Sequence, residues 1–397
     1  MKLLVLHDKP HHEMGGMTRF IAAQNTLFGE AGWPVTEVIC TPLPQPKALH
    51  VPPSGRRIGL RALRQLRELL LQQRPDVLLV HSVYYALSPL VLQTLPAHIP
   101  LVYVLHDVTP LCPRMTRLRR DGGICQRRQG LDCLTSACYQ PGQQHGLLSD
   151  LHGLAMRAWQ MRAAQAVRQW VVPSQYLKEL LCTHGIASNR VAVIPHFVTH
   201  GEDGGAGGAG IKPTPASPSR LLFAGRLVPE KGIHCLLDAL QYLHDIPWTL
   251  HIAGDGPEQA RIQATIDQRG WGQRVRCLGA LDARALAQQY QQAAVVAMPS
   301  LIPESFGMVG LEAMHHRRPV VGFASGGMTE WLRHGVSGLV ADWGDPQSFA
   351  LALRQLIMQP QYASLLGQQG YALVLQEFSP ERHLQGMQAL LNTMAPS

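Results

Sequence analysis

The chain has 397 residues, which is too long for one ordinary core and favours two domains. Its hydrophobic fraction of 46% is typical of a globular protein. Its formal net charge is +8, and the excess lies in residues 1–200. Such a basic half could attract nucleic acid, an anionic membrane surface or an anionic acceptor. No nucleic-acid-binding motif accompanies it, so we expect no nucleic-acid partner and favour the other two.

The chain begins with a βα unit: a strand at residues 2–6, a loop ending in Gly15 and Gly16, and a helix over residues 17–31. The first apolar run is too short for a secretion signal, and the eight cysteines lack a disulfide-framework spacing. We therefore expect a cytoplasmic protein, either free or at the inner face of the cytoplasmic membrane. Paired glycines at this turn let the backbone approach a ligand closely, although an ordinary turn before a helix also explains them.

An amphipathic helix is predicted over residues 56–74. Its cationic face includes Arg57, Arg61 and Arg64, and leucines form the opposite face. Two interpretations remain open: the helix docks on an anionic membrane, or it packs on the sheet with its arginines in water.

Two further strands are predicted at residues 77–80 and 101–105, and His106 follows the second. Ligands of doubly wound folds collect at the carboxyl ends of the strands. His106 is therefore a candidate catalytic residue, although a lone histidine is more often structural.

An arginine-rich segment after this strand, residues 107–145, has the character of an insertion. It contains four cysteines: Cys112, Cys125, Cys133 and Cys138. Because they lack the Cys-x2-Cys pair of common zinc sites, free thiols in an ordered insertion are favoured. A structural zinc ion held by these four thiols is the alternative.

A stretch rich in Gly, Ala and Pro at residues 201–219 predicts a flexible linker. It separates a first domain, residues 1–200, from a second domain, residues 220–375, and residues 376–397 form a last helix. The second domain begins with a strand, after which Arg226 and Lys231 precede a helix. Two cations in that position can balance a diphosphate, or they are ordinary surface charges.

The stretch from Glu304 to Glu312 places two carboxylates across the start of a predicted helix, with Ser305 as its N-cap and a buried strand at residues 293–298 before it. Four amides would lie unpaired at this helix N-terminus, where they attract a phosphate: Phe306, Gly307, Met308 and Val309. Carboxylates accept hydrogen bonds from hydroxyl groups, so the stretch favours a nucleotide-sugar site. A capped amphipathic helix with Glu312 in water is the alternative.

The stretch Glu304-Ser-Phe-Gly-Met-Val-Gly-Leu-Glu312 resembles the E-x7-E signature of the retaining glycosyltransferases of family 4, also called glycosyl transferase group 1. Gly225-Arg-Leu-Val-Pro-Glu-Lys-Gly232 is similar to the G-R-L-x-x-x-K-G motif of that family. The resemblance implies the GT-B fold, an α/β fold of two doubly wound Rossmann-like domains that face each other across a cleft. Alternating strand and helix signals predict two such domains independently.

The resemblance also implies a role for each matching residue. It assigns the donor diphosphate to Arg226, Lys231 and the four amides, the ribose to Glu312, and the transferred sugar to Glu304 and His106. Four of these are expected to be catalytic: His106, Glu304, Arg226 and Lys231. Further donor contacts are expected at Gly15, Gly16, Gly254 and Leu278, and acceptor contacts at Arg114, Arg117 and Arg119. The sequence departs from the family at residues 196–199, where His-Phe-Val-Thr replaces Asn-Gly-Val-Asp.

The expected reaction is transfer of a sugar from a nucleoside diphosphate sugar, with UDP as the family's commonest carrier, to a hydroxyl of a glycan or glycolipid acceptor in cell-envelope or exopolysaccharide synthesis. The resemblance implies retention of configuration. The sequence contains no Asp-x-Asp motif, so we expect no metal requirement and no cofactor. Two alternatives stay open: a nucleotide-sugar epimerase of the same fold, and a non-catalytic scaffold that binds a sugar nucleotide.

Overall fold

The computed structural model describes residues 1–8, 16–41, 48–50, 60–82, 92, 95–119, 121, 123–135, 138, 151, 154–155, 158–159, 161–199 and 219–394. Gly15, Arg57 and all but the last residue of the predicted linker lie outside the described residues.

The first sheet is entirely parallel, with the strand order β3-β2-β1-β4-β5-β6-β7. Its strands are β1 (Leu3–Asp8), β2 (Val35–Thr41), β3 (Ala48–His50), β4 (Val77–Ser82), β5 (Leu101–Val104), β6 (Gln169–Val172) and β7 (Val191–Val193). Leu3, Leu4, Val5 and Leu6 are all buried, as expected for a strand that is covered on both faces.

The second sheet is also parallel, with the strand order β10-β9-β8-β11-β12-β13. Its strands are β8 (Arg220–Ala224), β9 (Thr249–Ala253), β10 (Val275–Gly279), β11 (Val295–Met298), β12 (Val320–Gly322) and β13 (Gly338–Val340). In both sheets the strand order reverses beside the first strand, which is where doubly wound folds bind their ligands.

Helices cover both sheets. In the described part of the chain they are α1 (Gly16–Glu30), α2 (Leu60–Gln73), α3 (Asp132–Thr135), α4 (Gln175–Thr183), α5 (Ile233–Leu240), α6 (Gln259–Gln268), α7 (Ala283–Gln292), α8 (Met308–His315), α9 (Pro346–Met358), α10 (Pro360–Glu377) and α11 (Pro380–Asn392). None of them combines the length and the apolar composition that crossing a bilayer requires.

Helix α2 packs on the first sheet through Leu66 and Leu70, which are buried in its core, while Arg64 and Arg67 stay exposed. This arrangement is the one that the packed-helix interpretation expects. It leaves the membrane-docking alternative as an untested prediction.

Helix α11 returns to the first domain. Its Met387 and Leu391 lie in the same core as Leu3 and Val5 of β1. His383 on this helix donates from Nδ1 to the carbonyl of Pro195 (2.7 Å). The C-terminal segment is therefore part of the packing of the first sheet.

The predicted fold class is confirmed, and the differences are local. The strands β2 and β3 were not predicted individually. Gly326 and Gly327, followed by Glu330, predict the start of a helix, but only a short 3-10 turn, Gly327–Glu330, forms there.

Candidate active site

A cavity of about 260 Å³ lies between the two domains. The first domain contributes one group of lining residues: Gly16, Met17, Phe20, His106 and His196. The second domain contributes the other: Phe223, Ala224, Gly225, Lys231, Ala297, Met298, Ser300, Glu304, Ser305, Phe306, Gly307, Met308 and Val309. The residues predicted to contact the diphosphate and the transferred sugar thus line one space, except Arg226, which is exposed outside the lining.

Direct contacts hold the domains together around this cavity. Ser174, the N-cap of α4, donates from Oγ to the carbonyl of Ser305 (2.7 Å). The amide of Gln175 donates to Oε1 of Glu330 (2.6 Å). The loop before α8 is therefore fixed against the first domain.

The start of α8 differs from the prediction. The helix begins at Met308, and its N-cap is Gly307, which has φ of 85° and makes no side-chain cap. The prediction that Ser305 caps the helix is wrong because the chain turns through the left-handed region at Gly307, where glycine is favoured. A Cβ at Gly307 would also lie 3.1 Å from Cζ2 of Trp331.

The expected free amides are present at this helix start. In the described part of the chain, the amides of Gly307, Met308 and Val309 have no hydrogen-bond acceptor. All three residues line the cavity. The positive end of the helix dipole therefore faces the cavity, and it favours an anion there.

Lys231 and Glu304 form an ion pair at the cavity wall, with Nζ 2.6 Å from Oε1. Ser300 donates to the same oxygen (2.5 Å). Burial raises the pKa of the Glu304 carboxyl, but the charge of Lys231 and the two hydrogen bonds outweigh burial, and Arg226 adds to them, so the net pKa is lowered. Glu304 is therefore ionised at neutral pH.

Glycines make this pair possible. Gly232 has φ of 72°, and a Cβ there would lie 1.8 Å from the carbonyl oxygen of Pro299. A Cβ at Gly326 would lie 2.3 Å from the carbonyl oxygen of Glu304, and the amide of Gly327 donates to the same carbonyl (2.6 Å). Close backbone contacts thus place both members of the ion pair.

Glu312 lies one turn further along α8 and does not line this cavity. Tyr290 donates from its hydroxyl to Oε2 of Glu312 (2.8 Å), and Nη2 of Arg19 lies 3.5 Å from Oε1. Burial and the charge of Glu312 raise the pKa of Tyr290 well above its usual value. Arg19 belongs to α1, so Glu312 connects the two domains.

Three histidines meet at the carboxyl ends of the first-sheet strands. Nδ1 of His81 lies 2.8 Å from Nε2 of His106, and Nδ1 of His106 lies 3.2 Å from Nε2 of His196. Phe20 packs against His106 and His196, with ring centroids 5.6 and 4.0 Å away. Burial lowers the pKa of all three imidazoles, that of His106 to about 3, so they are neutral at pH 7.

Sequence reasoning selected His106 but missed four residues that contact the predicted site residues: Arg19, His81, Tyr290 and Ser300. The signal for His81 was its position at the end of β4, next to β5 in the sheet. His196 stands out in the sequence only as a departure from a family motif. The partners Tyr290 and Ser300 carried no signal in the sequence.

Two predicted donor residues lie outside the lining of the cavity. Gly254 has φ of 146°, and a Cβ there would lie 1.9 Å from the carbonyl oxygen of Gly225. It allows the ends of β8 and β9 to approach. Leu278 is half-buried in the edge strand β10. Their expected contacts with a nucleotide stay predictions.

The arginines of the insertion differ from one another. Arg117 is only 2% exposed, and Nη1 donates to the carbonyl of Arg127 (2.9 Å). This corrects the expectation that Arg117 contacts an acceptor, because its guanidinium is buried and binds the insertion's own backbone. Arg119 is exposed and pairs with Asp121, and Arg114 is half-buried.

The four insertion thiols are free. Cys112 is buried and the others are half-buried, and burial raises the pKa of Cys133 and Cys138. Among the described residues, which include all four, no three His, Cys, Asp or Glu side chains are placed to hold a metal ion. The arrangement therefore gives no support to the zinc alternative.

Two family models match the chain. The model for Glycosyltransferase Family 4 matches residues 14–202, and the model for Glycosyl transferases group 1 matches residues 210–373. The first match contains strands β2 to β7 of the first sheet, and the second contains all six strands of the second sheet.

Curated relatives match mainly over part of the chain. A D-inositol 3-phosphate glycosyltransferase of Corynebacterium urealyticum is 38% identical over 152 residues, which are 36% of this chain and 36% of the relative. The lipopolysaccharide core biosynthesis glycosyltransferase LpsE of Rhizobium meliloti is 31% identical over 42% of this chain and 48% of its own length. The match thus spans less than half of either relative.

Solved structures match over the full length. Sucrose-phosphate synthase from Thermosynechococcus elongatus has a TM-score of 0.72 at 17% identity, with 100% of both chains covered. Anabaena HepE in complex with UDP and glucose has a TM-score of 0.66 at 19% identity, with 98% of this chain and 99% of HepE covered. At these identities the likeness concerns the fold.

Proposed function

The chain belongs to glycosyltransferase family 4 and has the GT-B fold, and from this premise we propose that it transfers a sugar from a nucleoside diphosphate sugar to an acceptor hydroxyl. The observation that carries the proposal is the ion pair of Lys231 and Glu304 beside the free amides of Gly307, Met308 and Val309. A cation and a helix N-terminus suit the diphosphate, and a carboxylate suits sugar hydroxyls.

The diphosphate would lie against the start of α8. Lys231 would exchange part of its contact with Glu304 for a phosphate oxygen, with Arg226 as a second cation. When the glycosidic bond breaks, the leaving diphosphate keeps the bonding electron pair, and fixed positive groups stabilise that charge. Since these groups belong to the protein, we propose that transfer needs no metal ion.

The carboxylates of Glu304 and Glu312 would bind hydroxyl groups of the donor, and neither would form a covalent bond to the sugar. Glu304 would accept hydrogen bonds from hydroxyls of the transferred sugar. Glu312, already oriented by the Tyr290 hydroxyl (2.8 Å), would accept from the ribose. We propose retention of configuration: the acceptor oxygen forms its bond on the face that the diphosphate leaves, and its proton passes to a leaving phosphate oxygen.

The substrates are proposed by class. Anabaena HepE forms a complex with UDP and glucose, and we propose UDP as the carrier for this chain as well. The names of the relatives concern inositol phosphate and lipopolysaccharide core, which favours a glycan or glycolipid acceptor in envelope or exopolysaccharide synthesis. A glycolipid would bring the basic first domain to an anionic membrane surface.

Release of the nucleotide tests this function. The protein is incubated with UDP-, GDP- and ADP-sugars, with and without delipidated and lipid-linked glycans, and free nucleoside diphosphate is measured. We expect release from one donor that an acceptor stimulates and that Lys231→Ala abolishes, while Lys178→Ala leaves it unchanged. Conversion of a sugar nucleotide into its epimer would indicate the epimerase instead, and no turnover of any donor would favour the scaffold.

A further inference from the structure

The hydrogen bonds of His106 leave it no free nitrogen for a substrate. His81 occupies Nε2 (2.8 Å) and His196 occupies Nδ1 (3.2 Å). His81, His106 and His196 thus form a hydrogen-bonded row with one unpaired nitrogen at each end. In the part of the chain that the structure describes, these buried end atoms, Nε2 of His81 and Nδ1 of His196, have no hydrogen-bond partner.

Only two proton arrangements satisfy both bonds when all three rings are neutral. In the first, every ring carries its proton on Nδ1, so His81 donates to His106, His106 donates to His196, and the N–H of His196 lacks an acceptor. In the second, every proton is on Nε2, the donation runs the other way, and the N–H of His81 lacks an acceptor. An imidazolium at His106 is disfavoured, because burial lowers its pKa to about 3.

The surroundings of the two ends favour the first arrangement. His81 is fully buried at the end of β4, with 0% exposure, and it does not line the cavity. His196 does line the cavity, between Phe20 and Phe306. A buried N–H without an acceptor costs more than an acceptor without a donor, and only His196 lies where a ligand oxygen could remove that cost.

We propose that Nδ1–H of His196 donates a hydrogen bond to a hydroxyl oxygen of the transferred sugar. His106 and His81 are then positioning residues that fix the proton of His196 on Nδ1. The inference rests on the proposed function, and it moves the direct polar contact with the sugar from His106 to His196, the residue at which the sequence departs from the family motif.

The test separates the sugar from the nucleotide. Affinities for UDP and UDP-glucose are measured by calorimetry. If the protein does not bind the uridine nucleotides, the pairs GDP and GDP-mannose, and ADP and ADP-glucose, replace them. The ratio of the affinity for the sugar nucleotide to that for the bare diphosphate gives the contribution of the sugar. Asn places a donor near the position of Nδ1, Gln keeps a polar atom near Nε2, and Phe keeps neither. We expect His196→Phe and His196→Gln to lower the ratio about tenfold, or about 1.4 kcal/mol, and His196→Asn to retain most of it.

The results can contradict each proposal separately. Affinity for the bare diphosphate should stay within about twofold in all three variants. An affinity ratio that is unchanged in His196→Phe overturns the inference. A ratio that is retained in His196→Gln and lost in His196→Asn also overturns it, because His196 would then only position His106. Failure of the wild-type protein to bind any of the six ligands overturns the proposed function as well.

A second measurement does not depend on the folding of variants. Nitrogen NMR of the ¹⁵N-histidine-labelled wild-type chain reports which ring nitrogen carries the proton. We expect His81, His106 and His196 to be protonated on Nδ1, and the shift of His196 Nδ1 to change on addition of UDP-glucose but not of UDP. Protonation of the three rings on Nε2 would overturn the inference.

Discussion

Neutralising Glu304 should strengthen the binding of a bare nucleoside diphosphate. In Glu304→Gln the amide oxygen can still accept from Ser300 and Lys231, so the local hydrogen bonds can be kept. The negative charge 2.6 Å from Nζ of Lys231 is removed. Lys231 is then a free cation for a phosphate, and the phosphate no longer faces a carboxylate.

The size of the effect follows from the exposure of the pair. The side chains of Lys231 and Glu304 are 23% and 11% exposed, so their environment is intermediate between bulk water and protein. Two unit charges about 4 Å apart interact by about 1 kcal/mol in bulk water and by about 4 kcal/mol near a protein surface. Because the pair borders an open cavity, we expect a gain of about 1–2 kcal/mol, or about five- to thirtyfold in affinity for UDP. Transfer should fall about 10- to 150-fold, because hydrogen bonds to a charged group are worth about 1.5–3 kcal/mol.

Calorimetry with UDP and a transfer assay measure the two effects in one variant. Glu258→Gln is the matched control, because Glu258 is 16% exposed and pairs with His234 at 2.6 Å outside the cavity. The control should change neither quantity. Weaker binding of UDP by Glu304→Gln, or equal loss of UDP and UDP-glucose binding, would refute the placement of the diphosphate beside Lys231.

Three further changes test other parts of the structure. Tyr290→Phe removes the donor to Glu312 and should lower the free energy of unfolding in urea by about 1.5–3 kcal/mol. Gly310→Ala would place a Cβ 1.9 Å from Cη2 of the buried Trp331, and we expect a loss of at least about 3 kcal/mol by the same measurement. Burial lowers the pKa of His383 to about 4. Between about pH 6.5 and pH 4, His383 is therefore protonated in the unfolded chain but neutral in the folded chain. The unfolding free energy should fall as the pH falls from 6.5 toward 4, less steeply in His383→Asn.

A control variant and two contrary outcomes make these tests specific. Gly272→Ala should be near neutral, because a Cβ there meets nothing within 4 Å. A Tyr290→Phe protein as stable as the wild type would argue against the hydrogen bond to Glu312. A pH slope identical in His383→Asn and wild type would argue that His383 binds a proton equally readily in the folded and the unfolded state.

The sequence predicts those features that depend on neighbours along the chain. Apolar runs of four to six residues followed by glycine turns mark parallel strands, and they place Lys231 and Glu304 after strands of the second domain. Because the carboxyl ends of parallel strands lie at one edge of a sheet, the approach of these two residues could be expected.

Features that depend on packing between distant elements could not be predicted. Tyr290 is an unremarkable aromatic residue of α7 until α8 brings Glu312 to its hydroxyl. Arg117 belongs to a residue type that is usually found at the surface, and only the fold of the insertion buries it. The meeting of His106 with His196 requires the order of strands β5, β6 and β7, which a sequence pattern does not contain.

Thermal unfolding with UDP, GDP and ADP tests the central claim most directly, because it needs no acceptor. A ligand that binds only the folded state at a hundred times its dissociation constant adds about 2.7 kcal/mol of stability. We predict that one of the three diphosphates stabilises the wild-type protein and Lys178→Met, and that Lys231→Met loses this stabilisation. No stabilisation by any of the three, or equal stabilisation of Lys231→Met, would contradict a nucleotide site between the two domains.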